Sequence, residues 1–278
     1  MNEYLSESRK RLCLLMLVPL LSASAKADTI VLDDFSLNLT AANLTFSALD
    51  GSGSTSTNNT TPPNRIQLAP NYKATWTDGT SGAQNGILGG VRSGEIRNSS
   101  GTGNSILRIS AGTLGVDSPQ YNMLCLACLT YNVSPQDFSS IAQMIVNFTA
   151  FAPQYRGLAE VSVSLSDGTR TASGLFSTNT AVVGNNSYWL TGLTNWYQLD
   201  KTNIRQVVVG FNATSNAVDF NVNSISFTHA PEPNSFACLV ALLGIAATLR
   251  LLKSRHRRVV KTATLPQTPG ISKPCLTA

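Results

Sequence analysis

From residue 28 to residue 229, apolar and polar positions alternate in short runs, broken at close intervals by Gly, Asn, Asp, Ser and Pro. No window of twelve or more residues there carries a 3.6-residue period. A two-residue period places successive side chains on opposite faces of an extended strand, so the chain predicts strand after strand. The runs are Thr29 to Phe35, Leu44 to Leu49, Ala74 to Thr77, Gly86 to Val91, Ser105 to Ile109 and Asn122 to Thr130. Ala142 to Ala150, Ala159 to Leu165, Thr169 to Phe176, Val182 to Leu190, Arg205 to Asn212 and Val218 to Thr228 follow. Asp167-Gly168, between Val161-Ser-Val-Ser-Leu-Ser and Arg170-Thr-Ala-Ser-Gly-Leu-Phe, is a hairpin signal. Gly51 to Asn64, almost all Gly, Ser, Thr, Asn and Pro, reads as a flexible loop. A dozen short strands in one such stretch predict an all-β domain: a two-sheet antiparallel sandwich, jelly-roll-like, over residues 28–229.

The two ends follow a different pattern. Arg9-Lys10-Arg11, the apolar run Leu12 to Leu21 and Ala25-Lys26-Ala27 have the order of a secretory signal peptide over residues 1–27. An apolar run of about ten residues is too short to span a bilayer, which favours cleavage near Asp28 over a retained anchor. Cys13 lies inside that run, where it does not serve as a lipoprotein cysteine. Near the other end, Pro231-Glu232-Pro233 precedes an apolar stretch from Phe236 and then the basic cluster Arg250, Lys253, Arg255, Arg257 and Arg258. Counted from Phe236 to Leu252, with Arg250 snorkelling, the segment has 17 residues, the lower limit for a transmembrane helix. The cluster would hold its end on the cytoplasmic side. Residues 259–278, with three prolines and no apolar period, read as a disordered cytoplasmic tail.

Divided by region, the charge says more than the pI near 9.0. Residues 1–27 carry a net +2 and residues 230–278 a net +6, whereas nine Lys/Arg against twelve Asp/Glu leave the body at −3. The basicity belongs to the ends, and a body without a basic excess predicts no nucleic-acid partner.

The order of parts at the C-terminus, a Pro-Glu-Pro motif, one apolar helix and an Arg cluster behind a secretory signal, resembles the PEP-CTERM sorting signal of exported proteins in Gram-negative bacteria that make exopolysaccharide. The resemblance covers residues 230–258, and members usually end within a few residues of the Arg cluster, whereas this chain continues from Val259 to Ala278. It implies passage through the Sec translocon and signal peptidase, recognition at Pro231, Glu232 and Pro233 by exosortase, a membrane cysteine protease, and membrane anchoring before release to the cell surface or the medium. A plain, permanent single-pass anchor is the alternative; a GPI signal fits worse, because its apolar tail should finish the chain. Leu32-Asp33-Asp34-Phe35, the Gly86 to Arg92 stretch and Val218-Asp219-Phe220 resemble, loosely, the bodies of cyanobacterial PEP-CTERM proteins and carbohydrate-binding jelly rolls.

For chemistry, the body holds little. The two histidines are His229 and His256, so a Ser-His-Asp or Cys-His machine has no base within the strands and zinc has no imidazole there. The expectation is a non-enzymatic protein. Cys125-Leu-Ala-Cys128 reads as buried thiols or a local disulfide, in place of a redox or zinc motif. Asp33, Asp34 and Asp219, on the first and last strands, would suit a structural calcium ion if the fold made those strands neighbours; otherwise they are solvated or turn-capping carboxylates. A carboxylate pair would also serve a secreted glycan-acting enzyme, the alternative function. No other cofactor is expected. Trp76, Tyr188, Trp189, Trp196 and Tyr197 offer flat rings for stacking on sugars, with exopolysaccharide as the partner, or else fill the core.

Overall fold

A computed structural model describes residues 29–83, 85–99, 102–118, 125–178 and 181–229. The signal segment, the Pro-Glu-Pro motif, the apolar segment, the basic cluster and the tail lie outside the described residues. Among the described residues no helix is long and apolar enough to cross a membrane.

Among the described residues, twelve strands run in chain order as β1 (Thr29–Asp33), β2 (Ala42–Ala48), β3 (Arg65–Leu68), β4 (Tyr72–Gly79), β5 (Val91–Asn98) and β6 (Ser105–Ser110). Then come β7 (Thr113–Ser118), β8 (Cys125–Gln136), β9 (Ile141–Ser166), β10 (Thr171–Ser177), β11 (Gly184–Trp189) and β12 (Ile204–His229), with three short 3₁₀ turns between β11 and β12. All described pairings are antiparallel. The protein is all-β, with two antiparallel sheets in a sandwich-like arrangement.

The two longest strands, β9 and β12, build both sheets. Residues 204–213 of β12 lie between β8 and the 158–166 half of β9, giving a first sheet in the order β2-β4-β5-β8-β12-β9-β10. Residues 218–229 of β12 pair with the 141–156 half of β9 on one side and with β7 and then β1 on the other, and β6, β3 and β11 complete the second sheet. The sequence pattern predicts two strands in each of these segments, because the apolar parity changes midway. On β12, Val207, Val209 and Phe211 are buried before the change and Val218, Phe220 and Val222 after it. On β9, Met144, Val146 and Phe148 are buried before and Val161, Val163 and Leu165 after. Register shifts between Asn212 and Phe220 account for the switch without a break in the strand: each bulge adds an unpaired residue, which bends the ladder and turns the other set of side chains inward. The inward sets of both halves meet in one core, where Phe211 of the first sheet contacts Phe148 and Phe220 of the second.

The stretch Gly86 to Val91, expected as a strand, is instead a turn. Gly86, Gly89 and Gly90 all have φ near +80°, and a Cβ on Gly90 would lie 2.3 Å from the Thr80 carbonyl oxygen, so the strand begins only at Val91. The Asp167-Gly168 hairpin forms as the sequence predicts, joining β9 to β10 with Ser166 opposite Thr171. Asp167 Oδ1 accepts from the Thr169 and Arg170 N–H groups (2.7 Å each), and Oδ2 accepts from Asp200 N–H (2.9 Å). Those bonds, the one from Asp200 first, hold its carboxyl well below the usual carboxylate range.

Candidate binding face

The inner rows of the first sheet are closed. Asp78, Arg92, Tyr131, Val207, Leu165 and Ala172 stand in register across six strands and are buried. Within that row Arg92 donates from Nη1 to Asp33 Oδ2 (2.8 Å) and from Nη2 to Asp78 Oδ2 (3.2 Å) and the Leu37 carbonyl (3.1 Å). Tyr131 donates to Asp33 Oδ2 (2.9 Å), Trp76 Nε1 to Asp78 Oδ2 (3.1 Å), and Asp78 Oδ1 accepts from the N–H groups of Thr40 and Ala41. Burial pushes the Asp33 carboxyl up against the opposing pull of Arg92, and raises Tyr131 far above the phenol range. Buried charges of this kind survive only when paired and hydrogen-bonded, and here the partners come from β1, β4, β5 and β8. The cluster ties the segment between β1 and β2 to the sheet and fixes the floor of the face above it.

That face, the outer side of the first sheet, is lined by small polar side chains. In one register row, Thr77 of β4, Ser93 of β5, Thr130 of β8, Val208 of β12, Ser164 of β9 and Ser173 of β10 lie side by side. The next outward row holds Thr45, Thr75, Glu95, Cys128, Gly210, Ser162 and Leu175. Strand spacing makes the first row about 24 Å long, with the second about 7 Å beside it. Two shallow depressions of about 290 and 190 Å³ lie along these rows, one around Thr75, Ser93, Glu95 and Thr130, the other around Ser162, Ser164, Ser173 and Val208. Thr45 and Thr75 share a hydrogen bond of 2.7 Å between hydroxyls, and Glu95 is held at one rim by Arg97 and by Lys73 at 4.0 Å. Residues two apart on a strand share a face and bulky ones would fill it. Ser, Thr, Cys and Gly at all of these positions but Val208, Glu95 and Leu175 leave a trough of hydroxyls running across the strands.

The residues singled out by sequence are dispersed. Cys128, on strand β8, is a free thiol on the trough floor, so the bridge to Cys125 is not made. Burial, then the charge of Glu95, pushes the Cys128 thiol up. The calcium grouping is not assembled: among the described residues no three His, Cys, Asp or Glu side chains stand close enough to hold a metal. Asp33 is committed to Arg92 and Tyr131, Asp34 accepts the Ser36 N–H (2.9 Å), and Asp219 lies on the second sheet directly opposite Asp117. Burial and then the Asp219 charge raise the Asp117 carboxyl, with Arg108 opposing. Of the rings, Trp76, Tyr188 and Trp196 are buried and offer no stacking face, Trp76 because its ring fills the space over Gly94. Trp189, at the end of β11, is 53% exposed and Tyr197, in a 3₁₀ turn with Lys201 Nζ 5.6 Å from its ring, is 81% exposed, but neither belongs to the trough rows. Thr77, Ser93, Thr130, Ser164 and Ser173 escaped the sequence reading because the β4–β5 and β9–β10 hairpins and strand β8, which carry them, are joined into one row only by the pairings of β5 with β8, β8 with β12 and β12 with β9, which are distant in sequence.

No protein-family model and no curated protein matches this chain. Among solved structures it is similar to a family 11 carbohydrate-binding module from Clostridium thermocellum in complex with a β-1,3-1,4-mixed-linked tetrasaccharide, at 14% identity over 74% of this chain and 98% of that one, with a TM-score of 0.33. It is also similar to PfGH50B, at 14% identity over 46% of this chain but 22% of that one (TM-score 0.32). The adhesin domain of PrgB from Enterococcus faecalis matches at 14% identity over 75% and 83% of the two chains (TM-score 0.22). Likenesses this distant say nothing about what the trough holds.

Proposed function

We propose that the protein is a non-catalytic glycan-binding protein whose β-sandwich takes a neutral polysaccharide strand along the hydroxyl trough of the first sheet. The observation that carries this reading is the row Thr77, Ser93, Thr130, Ser164 and Ser173, interrupted only by Val208, across six strands. A sheet satisfies its own backbone groups, so only outward side chains can read a ligand. Hydroxyls that both donate and accept match the hydroxyls of sugar rings. Protein partners are bound through aromatic and Arg anchors, with Ser depleted, whereas the two rows hold no aromatic and no Arg. Leu175, 60% exposed at the β10 end of the adjacent row, gives an apolar contact for the C–H face of a ring.

The signal at residues 1–27 and the PEP-type motif at Pro231, Glu232 and Pro233 support delivery by the Sec pathway and exosortase to the cell surface or extracellular matrix, where such a polysaccharide is found. Mobility of the purified protein in gels containing neutral polysaccharides tests the binding part. Retardation that is lost in Thr130→Arg and Ser164→Arg is expected, and equal retardation of wild type and both variants, or none with any neutral polymer, refutes it.

One observation favours the glycan-acting alternative: the opposed Asp117–Asp219 pair with its raised carboxyl, the arrangement a general acid needs. It lies on the other sheet from the trough, and release of reducing ends that Asp117→Asn abolishes would establish it over simple binding.

A further inference from the structure

The chain between β11 and β12 turns one set of side chains inward and leaves two rings outside. Leu190, Leu193, Trp196 and Leu199 recur every third residue, the period of the 3₁₀ turns along this segment, and all four are buried. Trp189 and Tyr197 fall off that period and are exposed. Lys201 Nζ lies 5.0 Å from the Trp196 ring and 5.6 Å from the Tyr197 ring, so a cation is held beside the exposed phenol.

These side chains stand at the end of the sandwich where β12 finishes. Trp189 of β11, Gln143 of β9 and Thr228 of β12 share one register row, which puts Trp189 two strand spacings, about 10 Å, from the last residues of β12. The Lys201 carbonyl accepts from Phe138 N–H (2.6 Å), and the Phe138 ring packs on Phe227 with centroids 4.9 Å apart. Six residues, 230–235, separate His229 from Phe236, the first residue of the apolar segment that the sequence reads as a membrane span. Extended from 229 to 236, that stretch covers at most about 25 Å. Insertion of the apolar segment therefore confines this end of the domain to the neighbourhood of the lipid surface, where contacts too weak to bind a free protein suffice. Trp and Tyr are the side chains that settle at the headgroup level, apolar ring inward and polar edge in water, and a Lys stem lets its ammonium reach lipid phosphates. Asp137 and Asp200 offset Lys201 here, so this end has no cationic excess and suits a zwitterionic bilayer, held by rings more than by charge.

We propose that this end of the domain rests on the non-cytoplasmic surface of the bilayer, with Trp189 and Tyr197 in the headgroup layer and Lys201 against lipid phosphates. The proposal rests on the reading of residues 236–252 as a membrane span and not on the trough. Its test is reconstitution of the full chain into phosphatidylcholine vesicles, with and without bromine high on the acyl chains, followed by tryptophan emission. Bromine quenches on contact, and of the protein's three tryptophans Trp76 and Trp196 are buried and Trp189 is exposed. Brominated lipid is expected to quench the Trp189 share of wild-type emission at low and high salt alike, to quench nothing in Trp189→Phe, and to quench Tyr197→Ser severalfold less than wild type. Both substitutions are at exposed positions and leave the core as it is. Flotation separates the two ways of failing. A chain that does not float with the vesicles overturns the membrane-span reading and the proposal with it, whereas a chain that floats with its emission unquenched overturns the proposal alone. Equal quenching of wild type and either variant also overturns it, as does Trp189 emission that responds to a neutral polysaccharide and not to brominated lipid, which would assign the rings to a glycan.

Discussion

Replacing Arg92 with Met keeps much of the side-chain volume and removes the one cation of the buried cluster. The change strands Asp33 and Asp78, both fully buried, and deletes donors at 2.8 and 3.2 Å together with the bond to the Leu37 carbonyl. Breaking a buried pair by removing one partner costs about 3–5 kcal/mol, because the remaining charge has neither water nor a counter-ion. Asp33 retains the Phe35 N–H and the Tyr131 hydroxyl, and Asp78 retains Trp76 Nε1 and the Thr40 and Ala41 N–H groups, which places the loss toward the lower part of that range. At roughly 2–4 °C per kcal/mol for a domain of this size, the melting temperature should drop by about 6–15 °C. Urea unfolding followed by tryptophan fluorescence gives the free energy directly. Arg92→Lys should fall between the two, since a point charge cannot reach both carboxylates in the geometry of the planar fork. In the double variant Arg92→Met with Asp33→Asn, the loss should be smaller than the sum of the single losses, because the stranded charge has gone. A loss below about 1 kcal/mol for Arg92→Met would refute the idea that this cluster fixes the floor of the binding face, since that is the range of exposed pairs.

Gly94→Ala would bring a Cβ to 2.1 Å from the Trp76 ring, and the overpacking should cost about 1–3 kcal/mol in the same unfolding assay, with little loss meaning that Trp76 is free to move. Asp167, whose carboxyl is held below its unfolded value, contributes stability that is present above about pH 4 and lost as pH falls toward its folded pKa. Asp167→Asn should therefore flatten the acid limb of the stability curve, and an unchanged limb would contradict that assignment. Ser93→Arg, on the trough surface, should leave stability within about 0.5 kcal/mol of wild type while removing polysaccharide retardation; a large stability loss would mean the position is not a surface one.

How much of this was legible depended on whether a feature was local. Val161-Ser-Val-Ser-Leu-Ser and the Asp-Gly turn after it specify strand, face and hairpin within a dozen residues, and β9, the turn and β10 form accordingly. Arg65–Leu68 is too short for its alternation to register, and Thr113–Ser118 carries Gly115 and Asp117, residue types depleted in strands, so the pattern predicts neither β3 nor β7. The parity change in β9 and β12 looks like a loop in sequence and is a bend in space. Trp76 shows the same limit in a single residue: Thr75 and Thr77 beside it suggest exposure, yet alternation with Ala74 and Asp78 turns the ring inward. The Arg92 partners are 59 and 14 residues away, and the trough row draws on six strands, so neither exists until the register is set.

Cys128 provides the most direct test, because it stands on the trough floor between Glu95 and Gly210 in register and fragment-ion sequencing of its peptide tells it from Cys125, three residues away. Its raised pKa calls for alkylation at mildly alkaline pH. With a neutral polysaccharide that retards the protein, alkylation at Cys128 should slow severalfold while labelling of Lys201, outside the trough, is unchanged. If Cys128 reacts at the same rate with and without the bound polymer, the polysaccharide does not lie in the trough and the central claim fails.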